Sequence, residues 1–204
     1  MGTTDAVRFW DGVYADRPAA TDPRPNVRLV EAVGDLPPGD AADLGCGEGG
    51  DALWLARKGW RVAAADISAV AVERLAARSL GLPVTAERHD LRESFPDGRF
   101  DLVSACYLHT PYDLDRAAVL RAAAHALRPG GRLLVVDHGS TAPWSWNQDP
   151  DVRHPAPHEV AADLALDPAT WTVERAESPR RTATGPGGQR AEVTDHVLLI
   201  RRTA

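Results

Sequence analysis

Ala42-Asp43-Leu44-Gly45-Cys46-Gly47-Glu48-Gly49-Gly50 is the stretch that decides the fold of this chain. It follows a short apolar run and precedes a helix-like run from Asp51 to Arg57. A second acid, Asp66, closes the next apolar run, Val62-Ala63-Ala64-Ala65. The separation of about 20 residues is that of a strand–turn–helix–strand unit. A glycine-rich turn at the carboxyl end of a first strand lets a ligand press against bare backbone, which a Cβ would block. An acid ending the second strand can accept hydrogen bonds from both ribose hydroxyls. Together they imply an adenosine-containing cofactor laid across the edge of a parallel sheet.

Outward from this turn the pattern alternates. Strands are expected at 41–44, 61–65, 83–88, 100–106 and 131–137, with helices at 50–58, 69–80 and 113–128. Such alternation implies right-handed crossovers and a parallel sheet with helices on both faces. Gly130-Gly131 after Pro129 reads as a helix stop and strand entry. Residues 1–39 form an N-terminal helical extension in which Phe9, Trp10, Val13 and Tyr14 share one face. A proline-rich connector (17–25) leads to a short helix with Leu29, Val30 and Val33 inward, stopped by Pro37-Pro38-Gly39. Residues 140–158, rich in Pro, Trp and His, read as a loop or lid within one domain spanning 40–204. A helix is expected at 158–166, then two strands joined by the turn-rich Thr182-Ala183-Thr184-Gly185-Pro186-Gly187-Gly188-Gln189. There is no internal repeat.

The dinucleotide fingerprint directs a pyrophosphate to a helix N-terminus. Here Asp43 and Glu48 flank the turn, which repels a pyrophosphate and suits a ligand carrying an ammonium and a sulfonium. The D-x-G-x-G-x-G pattern resembles motif I of the class I S-adenosylmethionine methyltransferases. Ala64-Ala65-Asp66-Ile67-Ser68, Arg88-His89-Asp90-Leu91, Phe100 to His109 and Leu127 to Gly139 resemble further family segments in the family's order. The resemblance implies a Rossmann-like α/β fold with a seven-stranded, mostly parallel sheet in the order 3-2-1-4-5-7-6, the last strand antiparallel. It implies S-adenosylmethionine as cofactor and S-adenosylhomocysteine as product. The cofactor residues it implies are Asp43, Gly45, Cys46, Gly47 and Gly49 in the turn, and Asp66 on the ribose. Ile67 would lie against the adenine, Asp90 would bond its amine beside Leu91, and Cys106 and Tyr107 would follow strand four. Trp10 and Tyr14 of the N-terminal helix are candidates to close over the cofactor, and helical packing alone would equally explain them.

Composition narrows the partners. The chain has 204 residues, 44% hydrophobic, and a formal charge of −6. That length suits one domain. The charge disfavours nucleic acid, because phosphate binding needs a basic face. Apolar runs are too short to span a bilayer, and the N-terminus shows no secretory signal, so a cytoplasmic location is expected. Arg180-Arg181 and Arg201-Arg202 read as solvated surface. Two cysteines are too few for a disulfide framework, and free thiols are expected.

Displacement at a sulfonium needs proximity, alignment and exclusion of water, and a general base only where the nucleophile must lose a proton. His109 after strand four and His138 ending strand five are the candidate bases, His109 also a substrate anchor; either can instead be bonded to loop backbone. Trp144 and Trp146 in the lid are candidate substrate walls or anchors to the core. The two prolines in His154-Pro155-Ala156-Pro157-His158 keep both histidines off one helical turn, and no metal site is expected. Cys46 is read as packing beneath the cofactor.

Within the superfamily, Phe9 to Pro18, Arg24-Pro25-Asn26 and Gly50 to Ser68 are similar to the small bacterial tellurite-resistance and thiopurine-type methyltransferases. That resemblance implies a small-molecule acceptor, at sulfur, oxygen or a chalcogen oxyanion before nitrogen, in a monomer or homodimer. The Asn/Asp-Pro-Pro-Tyr motif of amino-group methylation is replaced by Cys106-Tyr107-Leu108-His109-Thr110-Pro111-Tyr112. The alternatives are a non-catalytic sensor or partner subunit and a different reaction of the same cofactor.

Overall fold

The computed structural model describes residues 3–19, 21–145 and 147–204. The alternation seen in the sequence is the alternation of the fold. Helices α1 (Thr3–Ala15) and α2 (Val27–Val33) precede β1 (Asp40–Leu44), α3 (Gly50–Arg57), β2 (Arg61–Asp66), α4 (Ala69–Arg78) and β3 (Val84–Arg88). Then come β4 (Phe100–Cys106), α5 (Arg116–His125), β5 (Leu127–His138), α6 (Pro157–Leu164), β6 (Trp171–Glu177), β7 (Arg180–Thr184) and β8 (Arg190–Arg202). The sheet runs β3-β2-β1-β4-β5-β8-β6, with β7 attached to β8. Strands β1 to β5 pair in parallel, and β8 runs antiparallel between β5 and β6.

The central strands read as continuous apolar runs because both faces of the sheet are covered. Successive residues serve opposite cores. Leu133, Val135, Leu198 and Ile200 join the side holding Val119, Leu120 and Leu164. Leu134, Val136, Val197 and Leu199 join the side holding Leu29, Leu53 and Leu55. Side-chain caps set the helix starts: Ser68 accepts from Ala71 N at 3.3 Å, and Asp115 from Ala118 N at 2.9 Å.

Two expectations are corrected. The helix expected at 113–128 occupies only 116–125, and Leu127 already pairs with Phe100 at the start of β5. Asp115 delays the start by capping it, and Pro129 disfavours helical backbone at the preceding residue. The expected turn at 182–189 is shorter, since Thr182 to Thr184 belong to β7. The two strands expected at the C-terminal end are therefore three. β6 and β7 both lie along β8, interrupted around Ser178-Pro179, where the Pro179 carbonyl accepts from Asp195 N at 3.0 Å. The expected sheet order is otherwise found, with β8 as its closing antiparallel strand.

The strand order reverses between β1 and β4, and ligands of open α/β sheets bind at such a crevice. The crevice is tied from behind by Asp195 of β8. Its fully buried carboxylate accepts from Arg28 Nε of α2 at 3.0 Å and from Arg181 Nε of β7 at 2.7 Å. Removing one partner of a buried ion pair strands the other without water. Asp195→Ala should therefore cost about 3–5 kcal/mol in urea denaturation. Glu192→Ala, which breaks the exposed pair with Arg180, should change stability by less than about 1 kcal/mol.

Candidate cofactor and active site

Three strands deliver acids to one edge of the sheet. Asp43 lies in β1, Asp66 ends β2, and Asp90 follows β3. The glycine turn is held to Asp66, whose carboxylate accepts from Gly47 N and Ser68 N, each at 2.9 Å. Burial nevertheless pushes the Asp66 carboxyl above its ordinary value, against those two backbone donors. Gly47 has φ 52°, and a Cβ there would stand 2.8 Å from the Tyr14 hydroxyl. Gly49 has φ 86°, and its Cβ would collide with Leu75 Cδ1. Only glycine satisfies both the backbone and the space at these two positions.

Above this edge lies a cavity of about 270 Å³, with Gly45, Asp66, Ile67, Asp90 and Leu91 along one wall. Helix α1 contributes Ala6, Trp10 and Tyr14, and the segment after β4 contributes Cys106 to Thr110. Asp11 docks α1 by accepting from Ser68 Oγ at 2.7 Å, and Trp10 Nε1 donates to Thr110 Oγ1 at 3.3 Å.

A second cavity of about 530 Å³ shares Gly45, Cys106 and Tyr107 with the first. Its walls include Arg24, Asn26, Asp43, Cys46, Asp51 and Arg181. Two buried polar atoms of this wall have no partner: Asp43 Oδ2 and Asn26 Nδ2. Each is aimed by its neighbour. Ser104 Oγ donates to Asp43 Oδ1 at 3.0 Å, and Arg28 N donates to Asn26 Oδ1 at 2.9 Å, which turns the amide nitrogen away. Burial, then the charge of Asp51, pushes the Asp43 carboxyl well up, and burial raises Asp51 as well. Both cysteines are free, and burial raises their thiols well above the ordinary value, so neither is a nucleophile. An unpartnered buried acceptor and donor of this kind call for a ligand bearing an ammonium and a carboxylate.

Where the two cavities meet, Tyr107 leaves β4 with φ 55°, in the left-handed region. Its hydroxyl donates to Asp195 at 2.8 Å, and its acidity is weakened to a pKa of about 12, by burial and then by Asp195. The ring stacks on His138 at 4.2 Å, and His138 stacks in turn on His109 at 5.9 Å. Burial and the neighbouring His109 hold the His138 imidazole below its ordinary value, so it is neutral at pH 7. His109 Nε2 lies 3.3 Å from Asp137 Oδ1, which also accepts from Arg116 at 2.5 Å. Burial opposes ionisation of Asp137, but the His109 hydrogen bond and the Arg116 charge outweigh it and keep its carboxyl below the usual range.

A methyltransferase-domain family model matches residues 41–131, from β1 to the first part of β5. That match covers under half of the chain, and the sheet order β3-β2-β1-β4-β5-β8-β6 is the Rossmann-like order of methyltransferase folds. Methyltransferase GfsG of Streptomyces halstedii is 34% identical over 148 residues, covering 66% of this chain and 51% of that protein. The chain thus spans about half the length of that curated relative. A structure described for the conversion of a disulfide bond into a thioacetal group during echinomycin biosynthesis is 26% identical, with a TM-score of 0.70, and covers 96% of this chain and 92% of its own. TehB from Haemophilus influenzae shares the fold at 18% identity and a TM-score of 0.67, covering 95% of this chain and 67% of its own. Curated relatives named for their acceptor include both O- and N-methyltransferases.

The methyltransferase cofactor fits the residues present. The first cavity sets the Asp66 carboxylate beside the apolar Ile67 and Leu91, an acceptor and walls that suit a nucleoside. The second offers Asp43 Oδ2 and Asn26 Nδ2, an acceptor and a donor that suit the ammonium and carboxylate of an amino-acid tail. Of the residues expected from the sequence, Trp10, Tyr14, Gly45, Asp66, Ile67, Asp90, Leu91, Cys106, Tyr107 and His109 line the first cavity, and Asp43 and Cys46 the second. Gly47 and Gly49 shape the turn beneath them, and His138 joins through Tyr107. Asp90 also has a partner within the chain: Arg92 forks onto its carboxylate at 2.8 and 2.6 Å, holding its carboxyl below the usual range. Trp144 lines neither cavity and packs over Gly185, whose Cβ would lie 2.5 Å from its ring. Trp146 lies outside the described residues. Arg181 is not plain solvated surface, because its guanidinium binds the buried Asp195. Arg24, Asn26 and Asp51 of the second cavity carried no sequence signal beyond Arg24-Pro25-Asn26.

The site predicts a pH dependence of ligand affinity. An ammonium ligand favours ionised Asp43, whose carboxyl is raised in the ligand-free fold, so S-adenosylhomocysteine affinity should strengthen as pH rises through that value. Stability of the ligand-free protein runs the other way. The folded state holds a proton that the unfolded chain releases, so this contribution is full below the ordinary carboxylate range and lost as pH rises through the raised value. Asp43→Asn should flatten both profiles and weaken binding roughly ten- to a hundred-fold in calorimetric titration.

Proposed function

We propose that this protein transfers a methyl group from S-adenosylmethionine to a small molecule, at sulfur or oxygen before nitrogen. The observation that carries this reading is the His109–Asp137 pair, with His109 lining the first cavity and neutral His138 stacked between it and Tyr107. When bound, the cofactor supplies a methyl group on a sulfonium, whose displacement depends on alignment more than on acid help.

The chain's residues then divide the work. Asp66 accepts from the ribose, Asp43 and Asn26 hold the ends of the amino-acid tail, and Arg24 adds a cation beside Asn26. Asp90 accepts the adenine amine once its fork with Arg92 is shared. Residues 1–39 act as a cover, with Trp10 and Tyr14 of α1 excluding water from the first cavity. Asp137 holds the Nε2–H tautomer of His109, which leaves Nδ1 as the base for a thiol or hydroxyl proton. An amine acceptor gains less from such a base, because its proton can leave after transfer. The 26%-identical structure concerns a disulfide-to-thioacetal conversion, which agrees with sulfur chemistry on this fold.

The test is transfer of a labelled methyl group to a panel of thiols, phenols, selenite and amines. Transfer should be fastest to a sulfur or oxygen acceptor. His109→Ala should lower kcat about 10²- to 10⁴-fold while S-adenosylhomocysteine affinity stays nearly unchanged. Transfer to amines alone, or tight cofactor binding with no transfer to any acceptor, would overturn the reading.

A further inference from the structure

Arg181 is the feature of the site that the cofactor leaves unused. It lies on β7 and reaches the wall of the second cavity. Its Nε donates to Asp195 Oδ2 at 2.7 Å, and its Nη2 reaches the Tyr107 hydroxyl at 3.3 Å and Asp195 Oδ1 at 3.4 Å. Its Nη1 has no partner among the described residues. These contacts hold one edge of the guanidinium on Asp195 and Tyr107, and the residue lines the second cavity. A guanidinium fixed in this way is preorganised for a planar anion.

The charges around it point the same way. Asp195 is already paired with Arg28 at 3.0 Å, so Arg181 is the second cation on one buried carboxylate. Glu31 answers Arg28 from a half-exposed position, where water screens it. The second cavity sets two arginines, Arg24 and Arg181, beside two acids, Asp43 and Asp51, whose carboxyls burial pushes up. An amino-acid tail bound there brings one ammonium for Asp43 and one carboxylate for Asn26 and Arg24. Arg181 remains.

Its position relates it to the acceptor. Arg181 touches the hydroxyl of Tyr107, and the ring of that tyrosine stacks on His138, beside His109. One phenol ring thus separates the guanidinium from the two imidazoles. We infer that Arg181 anchors a carboxylate on the methyl acceptor, so that the preferred substrates are small acids whose thiol or hydroxyl lies a short spacer from that carboxylate. This rests on the methyl-transfer reading above and adds the substrate class to it.

The experiment compares 3-mercaptopropionate with its methyl ester on protein saturated with S-adenosylhomocysteine, by calorimetry, and as acceptors with labelled cofactor. The acid should bind about tenfold or more tightly than the ester, the factor expected for a charge-assisted contact. Arg181→Gln should abolish that preference through KM, with S-adenosylhomocysteine affinity retained, and Arg181→Lys should restore part of it. Arg24→Gln should do the reverse, weakening S-adenosylhomocysteine and sparing the acid-over-ester preference. Equal binding of acid and ester, or binding of neither, overturns the inference on the wild-type protein alone, whether or not Arg181→Gln folds. Loss of S-adenosylhomocysteine affinity in Arg181→Lys overturns it too, because Arg181 then serves the cofactor's own carboxylate. Failure of the wild-type protein to bind S-adenosylhomocysteine would instead sink the methyltransferase reading.

Discussion

The buried carboxylate of Asp195 is the constraint on which the active edge of this molecule depends. It accepts hydrogen bonds from Arg28 on α2, Arg181 on β7 and the Tyr107 hydroxyl at the exit of β4. The first of these partners is 167 positions away in sequence. Burial alone would drive Asp195 toward its neutral form, but Arg181, Tyr107 and Arg28 outweigh that and keep its carboxyl below the ordinary range. A charge held in this way serves stability less than specificity, because apolar replacement of a whole buried ion cluster is often tolerated. Here the specificity has an identifiable product. Tyr107 is held in a left-handed backbone conformation with its ring flat against His138. Strained backbone persists where its surroundings over-determine it.

The acids of the cofactor edge work on the opposite principle. Asp195 is saturated with partners, whereas Asp43 keeps one oxygen with none. Asp66 stands between these extremes, with each oxygen engaged by a backbone N–H while still facing the cavity. An unsatisfied buried acceptor is costly in the ligand-free protein, and that cost is removed when a cation arrives. Binding energy and selectivity for a cationic tail thus share one physical source. A pyrophosphate would bring no cation to Asp43, and that cost would remain.

Helix α1 covers this edge by using three separate points of attachment. Asp11 binds Ser68 at the start of α4, Trp10 binds Thr110 after β4, and Tyr14 rests over Gly47. Its aromatic residues do not form a core of their own. Phe9 packs edge-on against Tyr112 at 5.7 Å and Trp10 at 5.3 Å. Among the described residues, no helix is long and apolar enough to cross a membrane.

The sequence by itself determined the alternating fold, the position of the cofactor edge and the acids at the ends of β1 and β2. These are local signals: apolar runs, caps, and glycines that only a tight turn explains. Its misreadings were also local. Pro129 and the glycines after it read as a helix stop although the chain was already extended at Leu127, and Thr182 to Thr184 read as turn although β8 supplied them with a partner. What only the tertiary structure decided was which distant side chains share a charge. Arg181 looked like surface because nothing near it in sequence shows that it binds Asp195. Asn26 stood in the sequence only within Arg24-Pro25-Asn26, yet its side chain caps α2 and lines the second cavity with Nδ2 unpartnered. Trp144, equally conspicuous in sequence, found its partner at Gly185. Backbone conformation is governed by neighbours along the chain, and its signals are written in order. Electrostatic and packing partners are set by distance in space, which for this sheet depends on how β8 inserts between β5 and β6.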